Sequence, residues 1–287
     1  MSPIRSLAFV VNAGKPGAPG LARELMATAR RTGARFRHTA RQTLPRGYLR
    51  GCDACCVIGG DGTLLGVAGE AARAGVPIIG VNRGGLGFLT TFSPEEARAN
   101  FGALLQGAYR IDRRAMIAGS IGSAAPDLAL NDVLIKAEAN TRLVRLEVFA
   151  DGERVTEYLC DGLLFSTATG STAYNLSAGG PIVHPSAKVI AMTPICPHTL
   201  SNRTVIFQES VKLQVFNRTE GASLLVAIDG QRKIGVSTGG KPVRISIARL
   251  RLPLVQHPKY SYFSVLRTKL NWSGASPEMK PGSQAPG

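Results

Sequence analysis

Two stretches of this chain bring together residue types that handle phosphate and sugar. The first is Gly59-Gly60-Asp61-Gly62-Thr63, placed where the apolar run Cys55-Cys56-Val57-Ile58 gives way to a helical pattern over residues 64–74. Glycines let the backbone approach a phosphate with no Cβ in the way, and the N-terminus of the following helix adds unpaired N–H groups and a favourable dipole. Asp61 departs from a plain phosphate loop. A carboxylate beside phosphates repels them unless a metal ion, or a hydroxyl whose proton it accepts, offsets the charge; phosphoryl transfer uses both. The alternative is a tight turn with Asp61 as an ordinary cap. The second stretch, residues 161–175, opens on Asp161 and an apolar strand and then presents five hydroxyls (Ser166, Thr167, Thr169, Ser171, Thr172), Gly170, Ala173, Tyr174 and Asn175, with Leu176 and Ser177 continuing it. Hydroxyls and open N–H groups suit ribose and phosphate, and Tyr174 offers a flat face or a phenol to a base. A Ser/Thr-rich helix cap over the core is the plain alternative, which Asp161, Tyr174 and Asn175 in so short a segment weaken. Asn131-Asp132, between Leu130 and Val133, sets two polar side chains in an apolar run. On a strand such neighbours face opposite sides, so a buried one needs a partner, such as a bound adenine or ribose; in a hairpin turn neither does.

These residues need elements to hold them. Residues 7–11 read as a buried strand ending in the loop from Asn12 to Gly20, residues 21–31 as a helix stopped by Gly33, and 55–58 as a second strand. Residues 64–74 read as a helix closed by Gly75, and 76–81 as a third strand before the glycine-rich run 83–87. Ser93-Pro94-Glu95-Glu96 carries a helix-capping box. Strand and helix alternate, which predicts a doubly wound, mostly parallel α/β sheet. Beyond residue 109 the pattern changes to short Val/Ile/Leu runs (143–149, 211–215, 224–228, 243–247) and turn pairs such as Asp151-Gly152 and Asp229-Gly230, the mark of a β-rich region. Residues 161–204 read as one long irregular, functional segment. The expected organisation is an α/β domain over 1–108, a β-rich domain over 109–258, a helix over 259–272 and a disordered tail over 273–287.

Composition excludes several classes. Of 287 residues, 44% are hydrophobic and 18% charged, which excludes a mainly disordered chain. The net charge of +15 favours a polyanionic partner, but the charges are spread and the densest cluster (Arg30, Arg31, Arg35, Arg37, Arg41) is modest, so no nucleic-acid partner is expected. Five cysteines do not form a secreted disulfide framework. Cys52, Cys55 and Cys56 lack a second metal-binding pair, so they read as buried strand residues. No run is long enough to span a membrane and no targeting signal precedes the first strand, so a reducing cytoplasm is the expected setting.

Gly59 to Thr63, Asn131-Asp132, the 161–174 segment with residues 177–182, and Tyr-Phe-Ser-Val-Leu-Arg-Thr-Lys-Leu-Asn-Trp at 262–272 together resemble the bacterial NAD kinase family, in that order along the chain. The glycine loop alone is shared with diacylglycerol- and sphingosine-kinase-like enzymes, whereas Thr-Gly-Ser-Thr-Ala-Tyr is specific to NAD kinases. The resemblance implies transfer of a phosphoryl group from ATP or polyphosphate to the adenosine 2′-hydroxyl of NAD. A divalent metal, Mg²⁺, would accompany the nucleotide, and the assembly would be a homodimer or homotetramer. Asp61 would activate the 2′-hydroxyl, and Gly59, Gly60, Gly62 and Thr63 would form the phosphate loop. Asn131 and Asp132 would hold the adenosine end, Asp161 the nicotinamide side, and residues 172–177 the adenosine and phosphate region. Arg142 and Gln231 fall at further contact positions. The family's fold is an α/β N-terminal domain with a β-rich C-terminal domain, its last helix returning to the first. The family usually carries Asn-Glu where this chain has Asn131-Asp132, so Asp132 reaches one methylene less far. A lipid kinase sharing the glycine loop and a non-catalytic dinucleotide-binding protein are the competing readings.

Overall fold

The computed structural model describes residues 1–85, 87–138, 143–198, 203–236, 240–257 and 260–272, with the side chains of 232–236 excepted. Arg142 and the 273–287 tail therefore lie outside the described residues. The N-terminal part runs β1 (Ser6–Val11), α1 (Ala18–Arg31), β2 (Arg35–Thr39), β3 (Ala54–Gly59), α2 (Asp61–Ala74), β4 (Ile78–Asn82) and α3 (Pro94–Leu105). The strands lie parallel in the order β2-β1-β3-β4. Residues of β3 and β4 are buried without interruption, as expected of strands covered on both faces. On one face α1 and α3 pack through Leu21, Leu25 and Phe101 onto Phe9, and on the other α2 packs through Leu64, Val67 and Ala71. The chain steps from β1 outward to β2 and then back across to β3. The boundary between β1 and β3 is thus the reversal point of a doubly wound sheet, where ligands bind outside the carboxyl ends of the strands. The loop after β1 and the Gly59–Thr63 turn after β3 both lie there.

Local sequence fixes the helix ends. Ser93 Oγ accepts the Glu96 N–H at 3.1 Å while the Glu96 carboxylate accepts the Ser93 N–H at 2.8 Å, the reciprocal capping box read from sequence. Gly75 closes α2 at a φ of 67°, a conformation that glycine adopts without a Cβ penalty. Two of the arginines in residues 30–41 lie at the sheet edge. Arg30 stacks over Phe36 and Arg37 over Tyr48, covering β2, whose outer side has no neighbouring strand.

The C-terminal part contains β5 (Arg110–Ile121), β6 (Asp127–Ala129), β7 (Asp132–Ala137), β8 (Val144–Ala150), β9 (Glu153–Cys160), β10 (Gly162–Thr167), α4 (Tyr174–Ser177), β11 (Val189–Ile195), β12 (Val205–Gln208), β13 (Leu213–Asn217), β14 (Leu224–Ile228), β15 (Arg232–Val236), β16 (Val243–Gln256) and α5 (Tyr262–Leu270). An antiparallel six-stranded sheet, β12-β11-β10-β7-β14-β15, packs over the extended first sheet. Between them lies a core of Val133, Ile135, Phe165, Met192, Val226, Leu213 and Ile245. Strand β16 is the long member: its C-terminal end runs parallel to β4 and its length pairs antiparallel with β5 and, at the other end, β13. It carries the first sheet on into β13, β8 and β9.

Three sequence expectations need correction. Residues 161–204 are not one irregular segment, because β10 and β11 inside them are paired, central strands. The run at 243–247 is only the start of a 14-residue strand. Asn131 and Asp132 are not both within a strand: Asn131 lies in the bend after β6, and Asp132 opens β7.

Candidate active site

Asp61 is the first residue of α2, and its carboxylate is turned toward the glycine-rich loop after β4. Oδ2 accepts the Phe88 N–H at 2.9 Å. Oδ1 accepts the Leu89 N–H at 3.2 Å, the Thr90 N–H at 3.0 Å and the Thr90 hydroxyl at 2.9 Å. Asn82, buried at the end of β4, donates to Thr90 Oγ1 at 2.9 Å and to the Gly85 carbonyl at 2.8 Å, fixing that loop. A Cβ on Gly87 would collide with Asp61 Oδ1 and Thr90 Oγ1, so this position must be glycine for the loop to close on the carboxylate. Gly60 and Gly62 have nothing within 4 Å of where a Cβ would be. Nothing among the described residues requires their bareness, and they leave the first turn of α2 open to an approaching anion.

Thr63 is buried and receives a hydrogen bond from Asn12 Nδ2 at 3.1 Å, while Asn12 Oδ1 accepts the Gly14 N–H at 3.2 Å. Arg83 donates from Nε to the Pro16 carbonyl at 3.0 Å and lies over Gly17. The stretch from Asn12 to Gly20 thus buttresses the glycine turn from the β1 side.

The hydroxyl-rich segment forms a compact turn after β10. Thr167 Oγ1 donates to the Leu130 carbonyl at 2.6 Å, and the Thr167 N–H donates to the Asn131 carbonyl at 2.9 Å. A Cβ on Gly170 would strike the Asn131 carbonyl, so the turn and the Asn131-Asp132 pair are in direct contact. Ser171 Oγ donates to the Ala168 carbonyl at 2.8 Å and accepts the Val183 N–H at 2.9 Å. Asn175 is fully buried. Its Nδ2 donates to the Pro181 carbonyl at 3.0 Å, and its Oδ1 accepts the Thr193 hydroxyl at 2.7 Å. The Thr167, Ser171 and Asn175 side chains therefore shape the turn from within, while Thr172, Ala173 and Leu176 are half-buried and Tyr174 and Ser177 are exposed. Asp161 and Tyr174 line one cavity of about 220 Å³ with Leu134, Lys136 and Ile195.

Asp132 is buried, and its pKa is pushed up to about 7, first by burial and then by the neighbouring Asp229 carboxylate. Asp229 sits in the β14–β15 turn at a φ of 50°. Its carboxylate accepts the N–H groups of Leu130 at 2.8 Å, Asn131 at 2.7 Å and Asp132 at 3.1 Å. Gln231 is exposed in the same turn. Burial pushes the Cys55 and Cys56 thiols up, and both are unpaired core residues of β3.

The two chemical segments meet through α5. The Phe88 ring, next to the N–H that Asp61 accepts, lies 6.4 Å from Tyr262, whose hydroxyl donates to the Val183 carbonyl at 3.4 Å. Val183 in turn is held by Ser171. Reading the sequence for chemistry passed over Asn82, Thr90, Arg114 and Asp229. Only the Asp229-Gly230 turn pair and the glycine run after β4 marked any of their surroundings.

A parallel sheet with an open glycine turn at its reversal point, linked through α5 to a hydroxyl-rich turn on a β-rich half, is the architecture of a nucleotide-handling α/β protein, with the Asp61 carboxylate at the start of α2. Comparison with known proteins narrows the class. Residues 37–109 match the ATP-NAD kinase N-terminal domain, and residues 130–256 match the ATP-NAD kinase C-terminal domain. The chain is 40% identical over 224 residues to the NAD kinase of Geobacter sulfurreducens, covering 77% of this chain and 78% of that one. It is 35% identical over 292 residues to the NAD kinase of Chromohalobacter salexigens, covering 95% and 98%. Its fold matches an NAD kinase from Archaeoglobus fulgidus solved in complex with ATP, with a TM-score of 0.79 at 25% identity over 93% of this chain and 98% of that one. It also shares the fold of yeast NADH kinase solved with NADH, with a TM-score of 0.87 at 22% identity over 98% and 91%. The chain belongs to the NAD kinase family.

Proposed function

We infer that this chain transfers the terminal phosphoryl group of ATP to the adenosine 2′-hydroxyl of NAD, giving NADP. One observation carries the reading: the Asp61 carboxylate is fixed by four donors beside the glycine turn, and the loop that fixes it is linked through Phe88, Tyr262 and Val183 to the turn at residues 169–177. Four bonds from one loop set the carboxylate's direction, so a sugar hydroxyl delivered by the turn meets an acceptor already oriented. Asp61 accepts the hydroxyl proton as the oxygen attacks phosphorus. The bare Gly60-Gly62 backbone and the first N–H groups of α2 receive the phosphates. Asn131 and Asp132 take the adenosine end, with Asp132 buried beside the Asp229 carboxylate. Residues 172–177, Tyr174 among them, take the adenosine and phosphate region, and Asp161, which lines a cavity with Tyr174, holds the nicotinamide side, across a subunit contact in a homodimer or homotetramer.

Among the described residues no three His, Cys, Asp or Glu side chains gather as a metal site. The Asp61 carboxylate beside the open Gly60–Gly62 turn suits a magnesium ion carried by the nucleotide's phosphates and water. Such an ion supplies charge neutralisation on the transferring group. No helix among the described residues is long and apolar enough to cross a membrane, and we place the enzyme in the cytoplasm. The test is incubation of the pure protein with NAD, Mg²⁺ and, in separate arms, ATP, another nucleoside triphosphate and polyphosphate. NADP in the ATP arm is the expected result. Absence of NADP from every arm overturns the assignment.

A further inference from the structure

Asp61 and the hydroxyl turn arrive from different elements, and a buried arginine stands between them. Arg114 of β5 is 4% exposed. Its Nε lies 2.8 Å from Asp112 Oδ2, yet the N–H is misaligned with that carboxylate and makes no hydrogen bond. Its Nη1 donates to Thr169 Oγ1 at 3.5 Å, the far limit of a hydrogen bond. Beside the guanidinium is the Tyr260 phenol, whose buried hydroxyl interacts with Arg114 but makes no well-aligned hydrogen bond among the described residues. Burial raises the Tyr260 pKa, Arg114 opposes that rise, and the Asp112 and Asp61 carboxylates add to it, so this phenol stands in the fields of all three charges. Gln256 reaches the same carboxylate, donating to Asp112 Oδ2 at 3.5 Å, and its own Oε1 is buried with no hydrogen-bond partner among the described residues.

Taking a guanidinium out of water costs several kcal/mol, and a purely structural arginine recovers that through aligned bonds from its planar fork. Here the fork is underused: one N–H is misdirected, one is stretched to Thr169, and its contact with the Tyr260 hydroxyl is not a well-aligned hydrogen bond among the described residues. Catalytic hydrogen bonds are often long in the empty enzyme and tighten when substrate closes the site. Thr169 immediately precedes Gly170, whose backbone abuts Asn131, so the position of Thr169 sets the position of the whole adenosine-binding side.

We propose that Arg114 is a positioning residue for phosphoryl transfer, holding the Thr169 turn in register with the Asp61 carboxylate. The proposal rests on the NAD kinase reading above. Its action is on geometry at the reacting centre, so it shows in turnover more than in substrate binding. A misplacement of about 1 Å costs on the order of 100-fold in rate.

The experiment is steady-state kinetics of NADP formation with Arg114→Met, Arg114→Lys, Thr169→Val and the Arg114→Met/Thr169→Val double variant, each checked by thermal melting. Arg114→Met is expected to lower kcat roughly 100-fold while KM for NAD moves less than about 3-fold. Arg114→Lys restores part of the loss. The double variant is no slower than Arg114→Met, because both changes break one link. A kcat within about 3-fold of native for Arg114→Met, additive losses in the double variant, or a change in KM alone overturns the proposal. Should Arg114→Met fail to melt cooperatively, Thr169→Val decides alone, and an unchanged kcat there refutes it. A native protein that makes no NADP would instead refute the underlying assignment, so the two failures are distinguishable.

Discussion

Replacing Asp61 with Asn separates the chemistry of the carboxylate from its structural role. In the native protein Oδ1 accepts three donors, from Leu89 N and from Thr90 N and Oγ1, and Oδ2 accepts one, from Phe88 N. An asparagine keeps its oxygen on the three-donor side and turns an NH₂ toward the Phe88 N–H, donor against donor. The loss of one charge-assisted bond costs about 1.5–3 kcal/mol, which a small drop in melting temperature records without unfolding the protein. Catalysis loses far more. A positioned general base contributes about 10²–10⁴ in rate, or roughly 3–5 kcal/mol at 1.36 kcal/mol per decade. The expected phenotype is therefore near-native NAD affinity by calorimetry with kcat for NADP formation reduced about 100-fold or more. Thr90→Val is the control, because it removes one donor to Oδ1 but leaves the carboxylate. It is expected to cost about 1 kcal/mol of stability and less than a tenfold loss of kcat. An Asp61→Asn enzyme retaining a tenth or more of native turnover refutes the base role. Equal losses in Asp61→Asn and Thr90→Val refute the separation of chemistry from scaffolding.

Four further outcomes follow from the same geometry. Gly87→Ala drives a Cβ into Asp61 Oδ1 and Thr90 Oγ1, so it is expected to reduce kcat about as severely as a 1 Å displacement of the base, roughly 100-fold, in a steady-state assay. Gly62→Ala, with open space around it, melts as native and raises KM for ATP instead. Asp229→Ala strips the acceptor from three backbone N–H groups at 130–132, and is expected to lower stability by at least about 2 kcal/mol in urea unfolding and to weaken NAD binding. Asp132 has a pKa raised from 3.8 to about 7 on folding. The folded state thus holds its proton where the unfolded chain has lost it, so stability falls as pH rises from about 4 to about 7 and levels off above. The limiting penalty is about 4 kcal/mol. Asp132→Asn removes that slope and is more stable than native at pH 8; melting curves at pH 5 and pH 8 with the same slope in both proteins would contradict this.

The parts of the fold that announce themselves in sequence are those whose signal is local. The apolar runs at 7–11 and 55–58 became β1 and β3, and the capping box at Ser93 and the glycine after α2 appear where their chemistry placed them. The apolar start of β10 was legible, whereas its end and β11 were hidden because hydroxyl residues sit in them: Ser166 and Thr167 are buried on β10, and Thr193 on β11, with Thr167 bonded to Leu130 and Thr193 to Asn175. Polarity there signals internal bonding as much as exposure. In the candidate site, Asp61 and the 169–177 turn were legible from residue type and spacing. Thr90, Asn82, Arg114 and Asp229 were not, because each acts on atoms tens of residues away or at the far end of a loop. Asp229 looked like an ordinary turn residue and is one by its backbone, while its carboxylate caps three N–H groups nearly a hundred positions earlier.

The central claim is a distance, and a crystal structure of the protein with NAD bound measures it. The account predicts the adenosine 2′-oxygen within hydrogen-bond reach of the Asp61 carboxylate, about 2.6–3.2 Å or one water away, with the adenosine against Asn131 and the 172–177 turn. A dinucleotide seated elsewhere, or one whose 2′-oxygen points away from Asp61 with no bridging water, would contradict it.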